Sequence, residues 1–573
     1  MSQPPIGIDL GTSTSIITAY IDGKPVSIPD PITKSPIVPS VVGVSDTGEI
    51  LVGQLALDQA VGHVVREAKR GIGSDNTYPL GGRVYTAEEI AAQILSYLKR
   101  NAEGFLSDPI EKVVISVPAN YEDGRRRAVQ RAAAMAGLTV IRLINEPTAA
   151  AMAYGSTRLD ADETILVYDF GGGTLDVTVG EMIGGVLEIK TSHGVAELGG
   201  KDFDKRIIDA AHGDFMRKAP GAETTLRSER GLKMAAELAK KALSSTQSAL
   251  VQVAAYASAD GGAPDLRMPL TRDQLEAMTR DLVEDSLEAV DEALKKAGVT
   301  KRDIDRVLLV GGTTYMPSVR TAVLSHLDGK QKAQGCDPDL AVSIGACLSA
   351  ASASGAVAPS TSMVVQDVST YGIGTPMWNE IGGRQVRAYE ELMPPNTPVP
   401  YARSLTGYRL MRTDQAEYEM VLLEDVHGDA QLADDAVQIG ETKPLTGIPP
   451  STRGEPHAVT LHFGIDVSGV LSLRAELPEL GISATLTARM AQSTGPMRAP
   501  EELGRIDTIW EQSPIAGEFR TWIARAEERL AQTPENAAEL SSALIDLKAK
   551  VSMSDRDGAK AARNRVLQCL AQA

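Results

Sequence analysis

Ile165 to Val179 reads ILVYDFGGGTLDVTV, and the reading of this stretch decides the fold. An apolar strand, Ile165 to Tyr168, delivers Asp169 into three consecutive glycines, Gly171, Gly172 and Gly173, followed by Thr174. Asp176 then opens a second β-rich run. The pattern predicts a tight hairpin with no side chains in the way of its turn. A backbone stripped of Cβ atoms can approach an anion closely and aim several N–H groups at it. The two aspartates at its margins suit a magnesium ion held through water beside phosphates. Alone, the stretch can also be read as an ordinary glycine hairpin. A second copy argues otherwise. Ile6 to Tyr20, IGIDLGTSTSIITAY, carries Asp9 into Gly11, Thr12, Ser13 and Thr14, and the two aspartates stand 160 positions apart. A further pair of buried-strand runs, VVISVP at Val113 to Pro118 and VLLVGG at Val307 to Gly312, also matches, each following a long helical stretch and ending in breakers. Two such halves imply a duplicated domain. Two phosphate hairpins facing each other would clasp a triphosphate from both sides.

At 573 residues the chain exceeds a single hydrophobic core, and three or four domains are expected. Its 43% hydrophobic and 23% charged content are those of a globular protein. A net charge of −18 argues against nonspecific nucleic-acid binding, which needs a basic footprint. Cys336, Cys347 and Cys569 contain no CxxC pair, so neither a disulfide framework nor a zinc site is expected, and a reducing cytoplasm is compatible. The first twenty residues hold no Lys or Arg, and no secretory signal is read there. Leu340 to Gln366 is uncharged but rich in Ser, Ala and Gly, which reads as a buried helix and a linker rather than a membrane span.

Along the chain, Thr86 to Phe105 is an amphipathic helix opened by a Thr86–Glu89 capping box. A strand ends at Pro118, and an alanine-rich helix begins at Arg125, Arg126 and Arg127. Lys69 in REAKRGIG reads as a cation at a helix end, and Glu146 in NEPT as a cap beside an N1 proline. Gly199 and Gly200 precede Lys201, but no P-loop GK[ST] follows. Ser228 to Ser245 is a long helix with Glu237, Lys240, Lys241 and Ser244 on one face, by itself an exposed Glu–Lys pairing. From Ser369 the character is all-β, with turns at Gly382–Gly383, Pro394–Pro395, His427–Gly428 and Ser468–Gly469 and a clear hairpin from Val459 to Arg474. After Pro500, Leu503 to Gln512, Glu518 to Gln532, Asn536 to Ser552 and Ala559 to Ala571 read as helices.

The segments IDLGT, VISVPANY, INEPTAAAMAYG, YDFGGGTLDVTV, LGGKDFD, AELAKKALSS, LLVGG and DPDLAVSIGA, in this order and spacing, resemble DnaK-type heat-shock protein 70 chaperones. The likeness is strong over about residues 5 to 355 and weak over 360 to 480, and it is greatest to the short, specialised (HscC-like) bacterial branch. It implies a multidomain fold: an α/β actin-like (ribonuclease H-like, duplicated) ATPase domain over 1–358, an interdomain linker over 359–368, a β-sandwich peptide-binding domain over 369–496 and a short helical lid-like segment over 497–573. It implies a cytoplasmic ATP-dependent chaperone of the stress response that binds extended hydrophobic segments of unfolded clients. ATP and Mg2+ would be its cofactors, with K+ a further candidate. A J-domain co-chaperone would be its partner, and the short loop after Lys69 leaves the nucleotide exchange factor open.

Residue by residue, the resemblance implies that Lys69 and Thr174 position the attacking water. Asp9, Glu146, Asp169 and Asp176 would surround the metal, with Asp9 and Asp169 binding it through water. Either Asp176 or Asp169 could take the proton. Gly11, Thr12, Ser13, Thr14, Gly171, Gly172, Gly173, Gly199 and Gly200 would hold phosphates. Glu237, Lys240, Lys241 and Ser244 would meet the adenosine against Gly311, Gly312 and Thr313, with Asp339 on the ribose side. Two residues depart from the family: Tyr315 stands where arginine is common, and Lys201 where an acidic residue is usual. Tyr315 could stack on adenine instead. Pro118, Arg126 and Asp367 would couple nucleotide state to the peptide domain. Ile373 would line the peptide pocket, with Tyr418 or Met420 as the opposite wall. Sugar kinases and filament-forming actin relatives share the duplicated fold, but neither has use for the β module. A nucleotide-regulated binding module with little or no hydrolysis is the alternative.

Overall fold

Ile6–Leu10 is a strand with its apolar residues buried, and its central place in a sheet follows from that. In a computed structural model of the protein it pairs antiparallel with Thr14–Ile21 and parallel with Lys112–Val117. Lys24–Ser27 follows on one side and Thr139–Asn145 on the other. The second sheet repeats this order. Glu163–Phe170 pairs antiparallel with Leu175–Ile183 and parallel with Arg306–Val310, flanked by Val186–Val195 and Gln331–Lys332. The strand Val364–Gln366 closes its edge beside Val186–Val195. Residues 3–571 are described, apart from 61, 63, 184, 259–262, 334, 336, 358–362, 367, 370, 382–383, 427, 466–469, 490–509, 512, 514, 532–536 and 553–554. The chain divides into two compact units, 1–365 and 366–573.

Each half of unit 1 turns tightly where the sequence marks it. Asp22 and Gly23 both adopt positive φ (50° and 79°), the twist a two-residue hairpin needs. The Thr86–Glu89 capping box forms as expected and opens the helix Ala87–Leu106. The helix expected over Ser228–Ser245 spans Leu226–Leu243. Thr225 Oγ1 accepts the Ser228 amide at 3.2 Å, so Ser228 lies in the first turn and Thr225 is the cap.

The helix Ala341–Ala353 is buried, as its uncharged sequence suggests, and lies against Glu146–Gly155 and Ile6–Leu10. Only glycines permit this approach. A Cβ on Gly7 would meet the Cys347 backbone, and one on Gly345 would collide with the Ala149 carbonyl.

Unit 2 holds two four-stranded antiparallel sheets that contribute to one apolar cluster. Ile373, Met420 and Leu422 enter it from one sheet, Leu461, Phe463 and Leu473 from the other. The strands Ala458–Ile465 and Val470–Leu477 form the hairpin read from the sequence. Helices Ala516–Ala531, Ala537–Ser552 and Arg556–Ala571 make a separate cluster around Phe519, Ile523 and Leu547. The expected helix from Leu503 falls almost wholly outside the described residues.

Gly345→Val should destabilise unit 1 by about 3 kcal/mol, the upper end of overpacking costs, because the obstacle is backbone. Calorimetry should show its melting transition several degrees lower, and an unchanged transition would contradict the close crossing.

Candidate active site

The two glycine turns meet. Gly171 N–H donates to the Thr174 carbonyl at 3.0 Å, closing the second turn. A Cβ on Gly172 would run into Ser13 Oγ, and one on Gly173 would lie 2.9 Å from the Thr12 side chain. The hairpins therefore face each other with side chains of one over bare backbone of the other. Gly200 N–H donates to Gly171 O at 3.0 Å and Thr313 Oγ1 to the same carbonyl at 2.8 Å. Gly199, Gly200 and Thr313 are thus built onto the second hairpin. Gly311 holds φ +80°, and a Cβ there would touch the Phe170 carbonyl.

Below the turns lies a buried charge cluster. Lys69 Nζ donates to Glu146 Oε1, with both side chains nearly inaccessible. Ser116 Oγ donates to Asp9 Oδ1 at 2.9 Å. Asp169 and Asp176 stand directly opposite each other across the hairpin, at 7% and 1% exposure. Like charges opposed in this way are destabilising. Among the described residues Asp176 Oδ1 has no hydrogen-bond partner, and Gly194 leaves it room where a Cβ would crowd it. Burial first, then the Glu146 charge, pushes Asp9 up to about 7 against Lys69 and Ser116. The same two causes push Asp176 up to about 8. Asp169 is also raised well above the usual carboxylate range, by burial and then by Glu146, Asp176 and Asp9. Burial alone would lower the Lys69 ammonium, but Glu146, Tyr121 and Asp9 outweigh it and hold the group charged. The cluster has more carboxyl groups than its cations can pair, and three of them are pushed up accordingly.

Lys69 is not at a helix end. It sits in a four-residue 3-10 turn, Ala68–Gly71, entered from Glu67 in the left-handed conformation. Tyr121 Oη donates to the Lys69 carbonyl at 2.8 Å. Arg126, 2% exposed, donates to Tyr121 O at 2.7 Å and to Asn145 Oδ1 at 2.7 Å. Tyr121 N–H in turn donates to Pro118 O at 3.2 Å. Pro118 and Arg126 therefore connect to Lys69 through Tyr121, and to Glu146 through its neighbour Asn145. Asp367 lies outside the described residues.

The four residues expected to meet the adenosine do not act alike. Lys240 Nζ donates to Gly200 O at 2.5 Å and pairs with Asp204 at 2.8 Å, which ties its helix to the start of the helix Gly200–Lys218. Glu237 pairs with Lys241 at 2.7 Å and with Arg66 at 3.3 Å. Lys240 and Ser244 line a small pocket with Arg272 and Met316. Tyr315 Oη donates to Asp339 Oδ2 at 3.1 Å, so the residue that departs from the family is bonded to the expected ribose-side acid. Gly312 is exposed beside them. In unit 2 Ile373 and Met420 are fully buried in the core, whereas Tyr418 is only partly buried at its margin.

A model of the Hsp70 protein family matches residues 5–80 and 77–567. The chain belongs to the Hsp70 family. A chaperone protein DnaK of Cenarchaeum symbiosum (strain A) is 38% identical over 481 residues, which cover 82% of this chain and 70% of that relative. As an Hsp70 chaperone ATPase, the chain is an ATP-dependent molecular chaperone that binds unfolded client polypeptides and works with co-chaperones. The family binds nucleotide with a divalent cation. Among the described residues no three His, Cys, Asp or Glu side chains gather closely enough to ligate one ion directly. The donor set fits a cation held through water: surplus buried carboxylates, one with an unmet oxygen. No described helix is long and apolar enough to cross a membrane.

Sequence reasoning missed Glu67, Arg70, Ser116, Tyr121, Asp202 and Asp204. Arg70 carried a signal, its place beside Lys69 before Gly71, and so did Asp202, which accepts the Gly199 N–H three residues back at 2.8 Å; Glu67, Ser116, Tyr121 and Asp204 pair across long separations.

The raised carboxylates set a pH dependence for the nucleotide-free protein kept in a chelator. Asp176 takes up its proton more readily folded than unfolded, so its contribution to stability is intact below about pH 4 and is lost as pH rises toward about 8. The melting temperature should fall from pH 6 to pH 8.5, and Asp176→Asn should flatten that fall. An identical slope in the variant would contradict the assignment.

Proposed function

We propose that ATP lies between the two hairpins of an actin-like, duplicated ATPase domain, residues 1–358. Backbone N–H groups of 11–14 and 171–174 meet the phosphates, as Cβ-free turns allow. Magnesium, the divalent ion proposed here with potassium as a further candidate, would be held by Asp9 and Asp169 through water and would neutralise phosphate charge. Lys69 and Thr174 orient the attacking water at the γ-phosphorus. A bond forms from the water oxygen to that phosphorus, the bond to the bridging oxygen breaks, and ADP leaves. The proton passes to a buried carboxylate, and the unmet Oδ1 of Asp176 favours Asp176 over Asp169. Glu146 holds the Lys69 ammonium in place. Tyr315 stacks on the adenine, with Glu237, Lys240, Lys241 and Ser244 around the nucleoside and Asp339 at the ribose. The observation that carries this reading is the buried Lys69 amid Asp9, Glu146, Asp169 and Asp176, at the base of two facing hairpins.

Hydrolysis is proposed to shift the affinity of a β-sandwich, residues 369–496, for an extended apolar segment. Residues 359–368 serve as linker and 497–573 as a short lid-like helical segment. Ile373 would contribute to the peptide pocket; being fully buried, it meets a peptide only where its sheet opens. Pro118 and Arg126, wired to Lys69 through Tyr121, support a relay role, with Asp367 as its continuation. A J-domain partner and a cytoplasmic setting complete the proposal.

Lys69→Ala should slow single-turnover ATP hydrolysis by roughly 10²–10³-fold, the range for losing one group that stabilises developing charge. ATP affinity should stay within a few-fold. Unchanged turnover would refute the assignment.

A further inference from the structure

Two ion pairs bracket Lys69. Glu67, two residues before it, reaches Lys201 at 3.2 Å. Arg70, the next residue, reaches Asp202 at 3.2 Å and donates to the Gly173 carbonyl at 2.6 Å. Lys201 and Asp202 are neighbours in the first turn of the helix Gly200–Lys218. That turn is itself bonded to the phosphate hairpin, Gly200 N–H to Gly171 O and Lys201 N–H to Gly172 O at 3.1 Å. Both flanks of the Lys69 turn are thus fixed to one hairpin of the second repeat.

Neither member of the outer pair is placed by local preference. Glu67 has φ 66° and ψ 18°, a conformation uncommon outside glycine, and its side chain makes no cap to the turn it precedes. Such residues persist where the surroundings over-determine them. Lys201 is a cation in a helix's first turn, where the dipole disfavours positive charge. Its side chain is only 13% exposed, with the Arg70 guanidinium near by. Helix chemistry, burial and the second cation all oppose a lysine there. Glu67 is the ion-pair partner that compensates, and the DnaK-type pattern has an acidic residue at the same place.

We infer that Glu67 and Lys201 are positioning residues for hydrolysis, an ion pair that holds the Lys69 turn against the Gly171–Thr174 hairpin. The inference rests on Lys69 acting at the attacking water. Without the pair, nucleotide still binds between the hairpins, but Lys69 is displaced from the γ-phosphate, and small displacements of a reacting group are costly in rate.

The test measures single-turnover ATP hydrolysis and ATP affinity in parallel on the full chain. Glu67→Gln and Lys201→Met should each slow hydrolysis roughly ten-fold with affinity held within about three-fold. The double variant should be no slower than either single. Lys201→Arg, and the swap Glu67→Lys with Lys201→Glu, should recover most of the rate. Wild-type rates in the singles beside a dead Lys69→Ala control would overturn the inference alone. So would affinity falling in step with rate, or losses that multiply in the double variant. A Lys69→Ala protein that hydrolyses normally would remove the underlying site assignment instead, which is a distinguishable result.

Discussion

The Lys69 ammonium against a buried nest of carboxylates is the interaction on which the rest depends. Glu146 takes the ammonium directly, and Asp9, Asp169 and Asp176 share its field from burial. A buried pair of this kind contributes little net stability, but removing one partner is costly because the other is left uncompensated. The surrounding structure is arranged to tolerate the imbalance. Ser116 donates to Asp9, Gly194 makes room for Asp176, and Arg126 adds positive charge beneath. An imbalance kept inside a protein in this way fits a site completed by a bound cation and its anionic ligand.

Duplication explains the geometry, and departures from it explain the chemistry. The two sheets have the same strand order, so each delivers a glycine turn to the same place. The copies differ at the position across from the aspartate. Asp9 faces Ile16, whereas Asp169 faces Asp176. The first copy retains hydroxyls at Thr12, Ser13 and Thr14, while the second has bare glycines, and Ser13 and Thr12 fill the space those glycines leave. Two identical turns could not interlock in this manner.

Much of this was legible because it is local. The Asp–Gly turns, the capping box at Thr86, the proline after Glu146 and the uncharged helix Ala341–Ala353 are all written within a few residues. The start of the Leu226–Leu243 helix was misplaced although Thr225 and Ser228 carry the capping spacing, because Ser228 alone reads as a plausible cap. Lys69 reads as a helix-end cation since basic residues before glycine usually are; its 3-10 turn depends on Glu67 turning left-handed, which no propensity favours. Arg70 with Gly173, Lys240 with Asp204 and Tyr121 with Lys69 pair across distant segments, and only the fold brings them together. In unit 2 alternating apolar residues make the strands plain, yet alternation does not say whether Ile373 faces a core or a ligand.

The most direct test is a crystal structure of the chain with a non-hydrolysable ATP analogue and magnesium. The phosphates should lie between residues 11–14 and 171–174, the ion should reach Asp9 and Asp169 through water, and the Lys69 ammonium should point at the γ-phosphate. Phosphates bound elsewhere, or a Lys69 turned away from them, would contradict the account.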